Sequence, residues 1–228
     1  MLGRIVIDDL RPRTPGSDHP AKAVIGEAVR VSADVFRDGH AILAARVLWR
    51  AEADSKWTDA PMHEVGNDRW EGVLEPAALG LHTFAVEAWT DRFSTWRRDV
   101  AVKHGAGQNV SVEITEGAQL LSELAPRVPR SDRSVVRAAA VALADPALPI
   151  GERLAAALDA SVALVLAGVP ERADLTRSRP QRLWVDRERA LFGAWYELFP
   201  RSEGGLRQTA DDRLGAVAEM GFDVVYLP

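Results

Sequence analysis

The stretch HTFAVEAW, residues 82–89, alternates between two sets of side chains along its length. Phe84 and Val86 fall on one side of an extended chain, and Thr83 and Glu87 fall on the other. A period of two residues is typical of a β-strand that buries one of its faces. The stretch therefore predicts a strand whose apolar side faces a core.

The same alternation recurs from Gly3 to about Gly105, for example in VRVSADV at 29–35. Short turn sequences separate the alternating runs, namely RDGH at 37–40, EVGND at 64–68, ALGLH at 78–82 and KHGAG at 103–107. Many short strands at this spacing favour an antiparallel sandwich. We therefore expect residues 1–113 to form an immunoglobulin-like β-sandwich.

Helical patterns replace the alternation over residues 114–182. The predicted helices are EGAQLLSELA, ended by Pro126, then RSVVRAAAVALA after Ser131 and Asp132, and GERLAAALDASVALVLAGV, ended by Gly168 and Pro170. Alternation then returns in RLWVDRERALF, where Leu183 and Val185 share one side. We expect residues 183–190 to pair with the sandwich as a return strand, which makes the small helical bundle an insertion.

The last region, residues 191–228, reads as strand, helix and strand. FGAWYELFPR is a continuous apolar strand, TADDRLGAVAEMG is an amphipathic helix between Thr209 and Gly221, and FDVVYLP is a second strand. Such a unit is a right-handed parallel crossover, which cannot bury its own faces. The region therefore predicts the beginning of a larger parallel sheet.

Composition excludes several classes of function. The chain has 228 residues, a net charge of −5 and no cysteine, and no run of Lys and Arg is dense enough to attract nucleic acid or an anionic membrane. Disulfides and thiolate metal sites are impossible, and the five histidines lack metal-ligand spacing. Asp8 and Asp9 interrupt any leader-like apolar run. We expect a cytoplasmic protein without metal or cofactor.

The motif WYELFPRS resembles the first barrel strand of the alpha-amylase clan (glycoside hydrolase family 13), and MGFDVVYLP resembles the second. Together with GRIVIDDLRP, PAKAVIGEAVRVSADVFRDGH, TWRRD and WVDRERALFGAWYELFPRSEGG, these motifs are similar to the family of alpha-1,4-glucan:maltose-1-phosphate maltosyltransferases. The resemblance implies a sandwich with an inserted bundle ahead of a (β/α)8 barrel, of which residues 191–228 are a truncated start. It implies that this chain is the amino-terminal portion of a homodimeric enzyme.

The family transfers maltosyl units from maltose-1-phosphate to alpha-glucan with retention at the anomeric carbon. The resemblance implies that the two carboxyl groups of this reaction lie on later barrel strands, so no catalytic residue is expected here and the chain alone is expected to be inactive. Its role would be dimerisation and support of the barrel. Two alternatives stay open, a stand-alone glucan-binding module and part of a related branching or debranching enzyme.

A few residues are candidates for substrate contact. Arg201 follows the first predicted barrel strand and could meet phosphate or sugar, although a rim Arg is more often a loop anchor. Glu197 is interpreted as a structural carboxylate paired with an Arg rather than as the nucleophile. Trp70 and Trp89 are candidate sugar platforms, although tryptophans in sandwiches more often belong to the core.

Overall fold

The chain folds around a curled, mostly antiparallel sheet. The structure is a computed structural model and describes residues 3–16, 19–169 and 171–228. Its strands are β1 Ile5–Arg11, β2 Ala21–Val24, β3 Val29–Arg37, β4 Leu43–Ala51, β5 Thr58–Gly66, β6 Arg69–Leu74, β7 Gly80–Thr90, β8 Ala173–Arg177, β9 Gln181–Asp186, β10 Trp195–Glu197 and β11 Val224–Tyr226.

Helices follow the seventh strand and also link the last two strands. They are α1 Arg92–Gly105, α2 Ser111–Leu124, α3 Arg133–Ala144, α4 Ile150–Leu158, α5 Ala160–Ala167, α6 Leu206–Gln208 and α7 Leu214–Glu219. A π-helical stretch, Thr209–Arg213, joins α6 to α7, and 3₁₀ turns lie at Ala125–Arg127, Glu188–Ala190 and Pro200–Glu203. Across the described ranges, no helix is long and apolar enough to cross a membrane.

The sheet has two halves, one made of β1, β3 and β6 and the other of β4, β7, β9 and β2. Strand β5 pairs with both halves, so the sheet is continuous. The strand order is β1-β3-β6-β5-β4-β7-β9-β2, and β8 pairs with β7 beside β9. Residues 58–62 of β5 pair with β4, and the rest of β5 pairs with β6. The strand-rich, mainly antiparallel region that the alternation predicts is therefore present, but β2 runs parallel to β9, which the sequence analysis did not predict.

One apolar core lies inside this curled sheet. Its members come from both halves, and they include Val31, Trp70, Phe84, Val86 and Leu183. Phe84 and Val86 are fully buried, so the alternation in β7 points its apolar side chains into the core as predicted. Burial of each such side chain contributes about 1.5–3 kcal/mol.

The helices α1–α5 form a second core between β7 and β8. Since β7 and β8 pair with each other, the helical cluster is inserted between two neighbouring strands of one sheet. Strand β9 pairs with β7 and β2, and its Leu183 and Val185 are buried while Trp184 is exposed. The predicted return strand therefore lies in the sheet through Asp186, whereas residues 188–190 form a 3₁₀ turn.

Polar contacts join the two ends of this insertion. Asp174 accepts a hydrogen bond from Thr90 Oγ1 at 3.0 Å and one from Arg37 at 3.3 Å. Arg92, at the start of α1, donates to the Glu171 carboxylate at 3.0 Å. The points where the chain leaves and re-enters the sheet are thereby held together.

Two segments differ from the secondary structure predicted from the sequence. Residues 92–105 were expected to continue the strands, but they form α1, in which Asp91 caps the helix by accepting from Ser94 N at 2.8 Å. The stretch from Gly151 to Val169 was expected to be one helix, but it breaks at Asp159. The Asp159 carboxylate accepts from Ser161 N at 2.8 Å and so begins α5 anew. Pro170, expected to end this helix, lies outside the described residues.

A buried carboxylate ties three strands together on the outer side of the sheet. Glu87 in β7 is 4% exposed and accepts hydrogen bonds from Arg46 in β4 at 2.6 Å and from Arg177 in β8 at 2.8 Å. Burial by itself raises the pKa of Glu87, but the hydrogen bonds from the two arginines outweigh burial and leave the pKa below its ordinary value. The carboxylate is therefore charged at neutral pH and neutralises two guanidinium groups.

We expect Glu87→Gln to lower the free energy of unfolding by about 3 kcal/mol at pH 7, because both arginines would lose the buried charge of the Glu87 carboxylate. Because the pKa of Glu87 is lower in the folded state, its contribution is present above the ordinary value of 4.5 and is lost as the pH falls below it. Urea unfolding from about pH 7 to about pH 3, a range that spans the ordinary pKa of a glutamate, measures both effects. The exposed Glu75→Gln is the matched control, and equal stability of the two variants at pH 7 would contradict the prediction.

Helices α1 and α2 meet where Gly117 lies against the indole of Trp96. A Cβ atom at position 117 would overlap the Trp96 ring, whose Nε1 donates to Glu113 O at 2.7 Å. Gly117 is therefore required by close packing rather than by an unusual backbone conformation.

We expect Gly117→Ala to destabilise the protein by about 1–3 kcal/mol, because the ring has to move out of a packed position. Gly151→Ala in α4 is the control, since no atom lies within 4 Å of its added Cβ, and we expect it to stabilise by up to about 1 kcal/mol. Thermal melts of the two variants compare them directly. A Gly117→Ala variant as stable as the parent would refute the packing argument.

Candidate functional site

The region most closely connected with catalysis in the sequence analysis, residues 191–228, forms a small parallel unit. Strands β10 and β11 pair in parallel, with Trp195 opposite Val224 and Glu197 opposite Tyr226. The helical stretch 206–219 connects them, and Gly221, with a φ of 88°, turns the chain from this helix into β11. The predicted order of strand, helix and strand is therefore correct, although each strand has only three residues.

Local contacts position the two strands of this C-terminal unit. Asp223 N donates to Ala194 O at 2.9 Å, and the Asp223 carboxylate accepts from Ala194 N at 3.1 Å and contacts Arg189. The rings of Tyr196 and Phe222 pack edge to face with centroids 5.0 Å apart. Leu198 and Val217 are buried inside the unit.

Glu197 and Arg201 lie at one edge of this unit. Since parallel strands end on the same side, the carboxyl ends of β10 and β11 bring residues 197–201 beside 227–228. Active sites of parallel α/β folds form at this edge. Glu197 and Arg201 are both exposed, and the ion pairs among the described residues include neither of them. The Arg partner expected for Glu197 is therefore not observed within the described ranges.

Glu197 and Arg201 supply one carboxylate and one guanidinium, which differ from the pair of carboxyl groups used in retaining glycosyl transfer. That reaction requires two carboxyl groups on either side of the reacting carbon, about 5–5.5 Å apart. A single guanidinium can hold a carboxylate or phosphate oxygen. The chemistry available at this edge is therefore binding of an anionic or hydroxylated group.

Large apolar side chains of this unit face solvent. Trp195 is 65% exposed and Leu206 is 68% exposed, and together with Leu191, Phe192, Phe199 and Tyr226 they form what we call the C-terminal apolar surface. No hydrogen bond or ion pair among the described residues joins positions 191–228 to the curled sheet or to α1–α5. Exposed apolar groups in such number mark a surface that contacts another protein segment.

The candidate sugar platforms lie elsewhere and are buried. Trp70 is 8% exposed in the core of the sheet, and Trp89 is 6% exposed at the end of β7. The guanidinium of Arg172 lies 5.4 Å from the centre of the Trp89 ring. Both rings are largely buried, and their role as sugar platforms stays a prediction.

Within residues 3–16, 19–169 and 171–228, no group of three or more His, Asp or Glu side chains lies close enough to hold a metal ion. The charged clusters observed there, such as that around Glu87, pair carboxylates with arginines.

Known proteins match this chain over its sheet, its helices and its C-terminal unit. A family description, "Alpha-1,4-glucan:maltose-1-phosphate maltosyltransferase, domain N/S", matches residues 3–187. The chain is 47% identical to alpha-1,4-glucan:maltose-1-phosphate maltosyltransferase 2 of Streptomyces coelicolor, an alignment that covers 100% of this chain and 35% of that protein. The enzymes of the same name from Mycobacterium tuberculosis and Pseudomonas aeruginosa are 39% and 38% identical over 99% of this chain, which is 37% and 35% of their lengths.

The family match ends before the C-terminal unit, whereas the alignments with whole relatives cover nearly all of the chain. The chain spans about a third of the length of these curated relatives, at 35% of the Streptomyces enzyme. The family match takes in the curled sheet and the whole helical insertion. On this evidence the chain belongs to the family of the N/S domain of alpha-1,4-glucan:maltose-1-phosphate maltosyltransferases.

Proposed function

We propose that this chain is the amino-terminal, non-catalytic part of an enzyme that extends alpha-1,4-glucan with maltosyl units from maltose-1-phosphate. The observation that carries this proposal is the match of residues 3–187 to the N/S domain, followed directly by a parallel unit with an uncovered apolar surface. The chain would support and orient a catalytic barrel that begins within residues 191–228.

The three-part division follows from this proposal. The curled sheet would be the immunoglobulin-like sandwich, which its facing antiparallel halves and single core support. The helices would be the bundle insertion, with its ends at about 92 and 172 instead of 114 and 182, because α1 starts at Arg92 and β8 belongs to the sheet. Residues 191–228 would be the first strand, helix and strand of a (β/α)8 barrel.

The chemistry would be carried out by the rest of the barrel. One carboxylate would attack the anomeric carbon and displace phosphate, whose departure a second carboxyl group would assist. The acceptor hydroxyl, deprotonated by the second group, would then attack the same carbon and displace the first carboxylate. Retention of configuration follows from these two displacements. Arg201, at the carboxyl end of the first strand, could contact phosphate or sugar at the rim.

The parent enzyme is proposed to be a homodimer whose contacts include this chain. Exposed apolar side chains on the helical insertion support an interface there, among them Val141 and Leu164, the latter 77% exposed. A cytoplasmic location is also proposed, supported by the absence of cysteine from the sequence.

A stand-alone glucan-binding module is the second candidate. The C-terminal apolar surface argues against it, because a complete module would not leave so many large side chains exposed. A related branching or debranching enzyme is less well supported, because the matching family and its relatives carry the maltosyltransferase name.

We expect the isolated chain to release no phosphate from maltose-1-phosphate above a no-protein control, in the presence of maltooligosaccharide acceptors, because the proposal places the two carboxyl groups on later strands of the barrel. A chimera in which it replaces the matching third of the Streptomyces coelicolor relative should regain glucan elongation. Phosphate release by the isolated chain, or a folded chimera without activity, would contradict the proposed function.

We expect removal of residues 192–228 to leave a folded sheet and helical insertion that stays soluble at concentrations where the full chain aggregates or forms higher oligomers. The reason is that no segment in the described part of the chain covers the C-terminal apolar surface, and each buried side chain of this size contributes about 1.5–3 kcal/mol. Light scattering and thermal melts on both chains measure the difference. A truncated chain that melts much lower and aggregates more would show that the C-terminal unit is integral to the fold.

A further inference from the structure

Three polar side chains form one row across the outer face of the sheet. Thr83 in β7 pairs with Arg50 in β4 on one edge and with Arg182 in β9 on the other. Side chains at directly paired positions share a face, with Cβ atoms about 4.5–5.5 Å apart. Thr83 lies on the same face as Glu87, because an even number of positions separates the two along one strand. The two guanidinium groups can therefore reach the space above Thr83 from opposite sides.

No carboxylate among the described residues neutralises the two arginines of this row. The neighbouring Arg46 and Arg177 both bind Glu87, whereas the ion pairs within the described ranges include neither Arg50 nor Arg182. Two uncompensated positive charges therefore remain here, although the chain as a whole has a net charge of −5. Like charges held close together on a sheet destabilise it unless an opposite charge lies between them.

The Arg50 guanidinium is held in place by contacts that leave most of its donors unused. It lies 4.8 Å from the centre of the Trp57 ring, and its Nη1 donates to the Asp54 carbonyl oxygen at 3.2 Å. The Arg177 guanidinium lies against the same ring, 5.3 Å from its centre. A guanidinium has five N–H donors, so Arg50 keeps others for a ligand. Because the group is already positioned, less side-chain entropy is lost when it binds.

The adjacent row of the same face adds an aromatic ring and no net charge. Trp184 in β9 is 42% exposed and pairs with Leu81 in β7 and with Lys22 in β2. At the other end of this row, Glu52 donates its backbone N–H to Leu81 O. Lys22 and Glu52 carry opposite charges, so the excess positive charge is confined to the row around Thr83.

We propose that the row formed by Arg50, Thr83 and Arg182 binds a phosphate group. Guanidinium groups match pairs of phosphate oxygens, and the threonine hydroxyl adds a further donor. A phosphate group near neutral pH carries up to about two negative charges, which balance the two arginines. The site lies on the outer face of the sheet and takes no part in the chemistry proposed for the barrel.

Two kinds of ligand carry such a phosphate group. One is the free phosphate ion, and the other is a nucleotide, whose base would stack on the exposed Trp184 ring two positions from Arg182. ADP that binds about tenfold more tightly than inorganic phosphate assigns the site to nucleotides. Equal binding of the two assigns it to the free ion.

The test is phosphorus NMR of inorganic phosphate, and separately of ADP, in the presence of the whole 228-residue chain. We expect saturable broadening of the phosphorus signal at low ionic strength and less broadening at high salt, because the site is exposed. The Arg50→Gln, Arg182→Gln double variant should bind phosphate about tenfold more weakly. Thr83→Val, which keeps the side-chain shape and removes the hydroxyl, should bind about threefold more weakly.

The matched control is the Arg30→Gln, Arg130→Gln double variant, which removes the same charge from exposed positions outside the row. Arg182→Gln alone, expected to weaken binding about threefold, keeps the test decisive if Arg50→Gln disturbs the packing of Trp57. Absence of saturable broadening with both probes, equal loss in the two double variants, or unchanged binding by Thr83→Val would overturn the proposal. The measurement requires no turnover, so its result is separate from glucan elongation by the chimera.

Discussion

The pairing of strand β7 on both of its edges is the constraint on which the rest of the structure depends. One edge pairs with β4, and the other edge pairs first with β9 and then with β8. Its inner face supplies Phe84 and Val86 to the core, and its outer face carries Glu87 between two arginines. A strand paired on both edges and covered on both faces has little freedom to move, so it fixes the elements around it.

The helical insertion takes its position from this strand. Its first helix begins directly after β7, where Asp91 caps α1, and its last helix is followed by β8, which pairs back onto β7. The insertion therefore adds a second core without interrupting the sheet. Sheet and insertion bury their own apolar faces, whereas the unit β10–β11 does not, which is the physical basis for proposing that a barrel continues from it.

Local patterns predicted those elements whose burial follows a simple period. The presence of strand β9, though not its end, agrees with the sequence analysis, as do the bounds of α3 and the order of β10, helix and β11. Helix α1 was missed because its mixture of aromatic, β-branched and charged residues resembles a strand. The signals that could have found it are Asp91 as a cap and the buried residues Phe93, Trp96 and Val100 at helical spacing.

The sequence by itself determined which segments alternate, which are helical and that the last region needs a larger sheet, because these properties depend on neighbouring residues. Only the tertiary structure decided which strands pair and which side chains contact each other across the chain. Glu87 pairs with arginines 41 and 90 positions away, β2 lies parallel to β9, and β5 joins both halves of the sheet. The same holds for Trp70 and Trp89, which are buried by distant segments. Contacts between residues far apart in the chain leave no local period, because they depend on how complete elements pack.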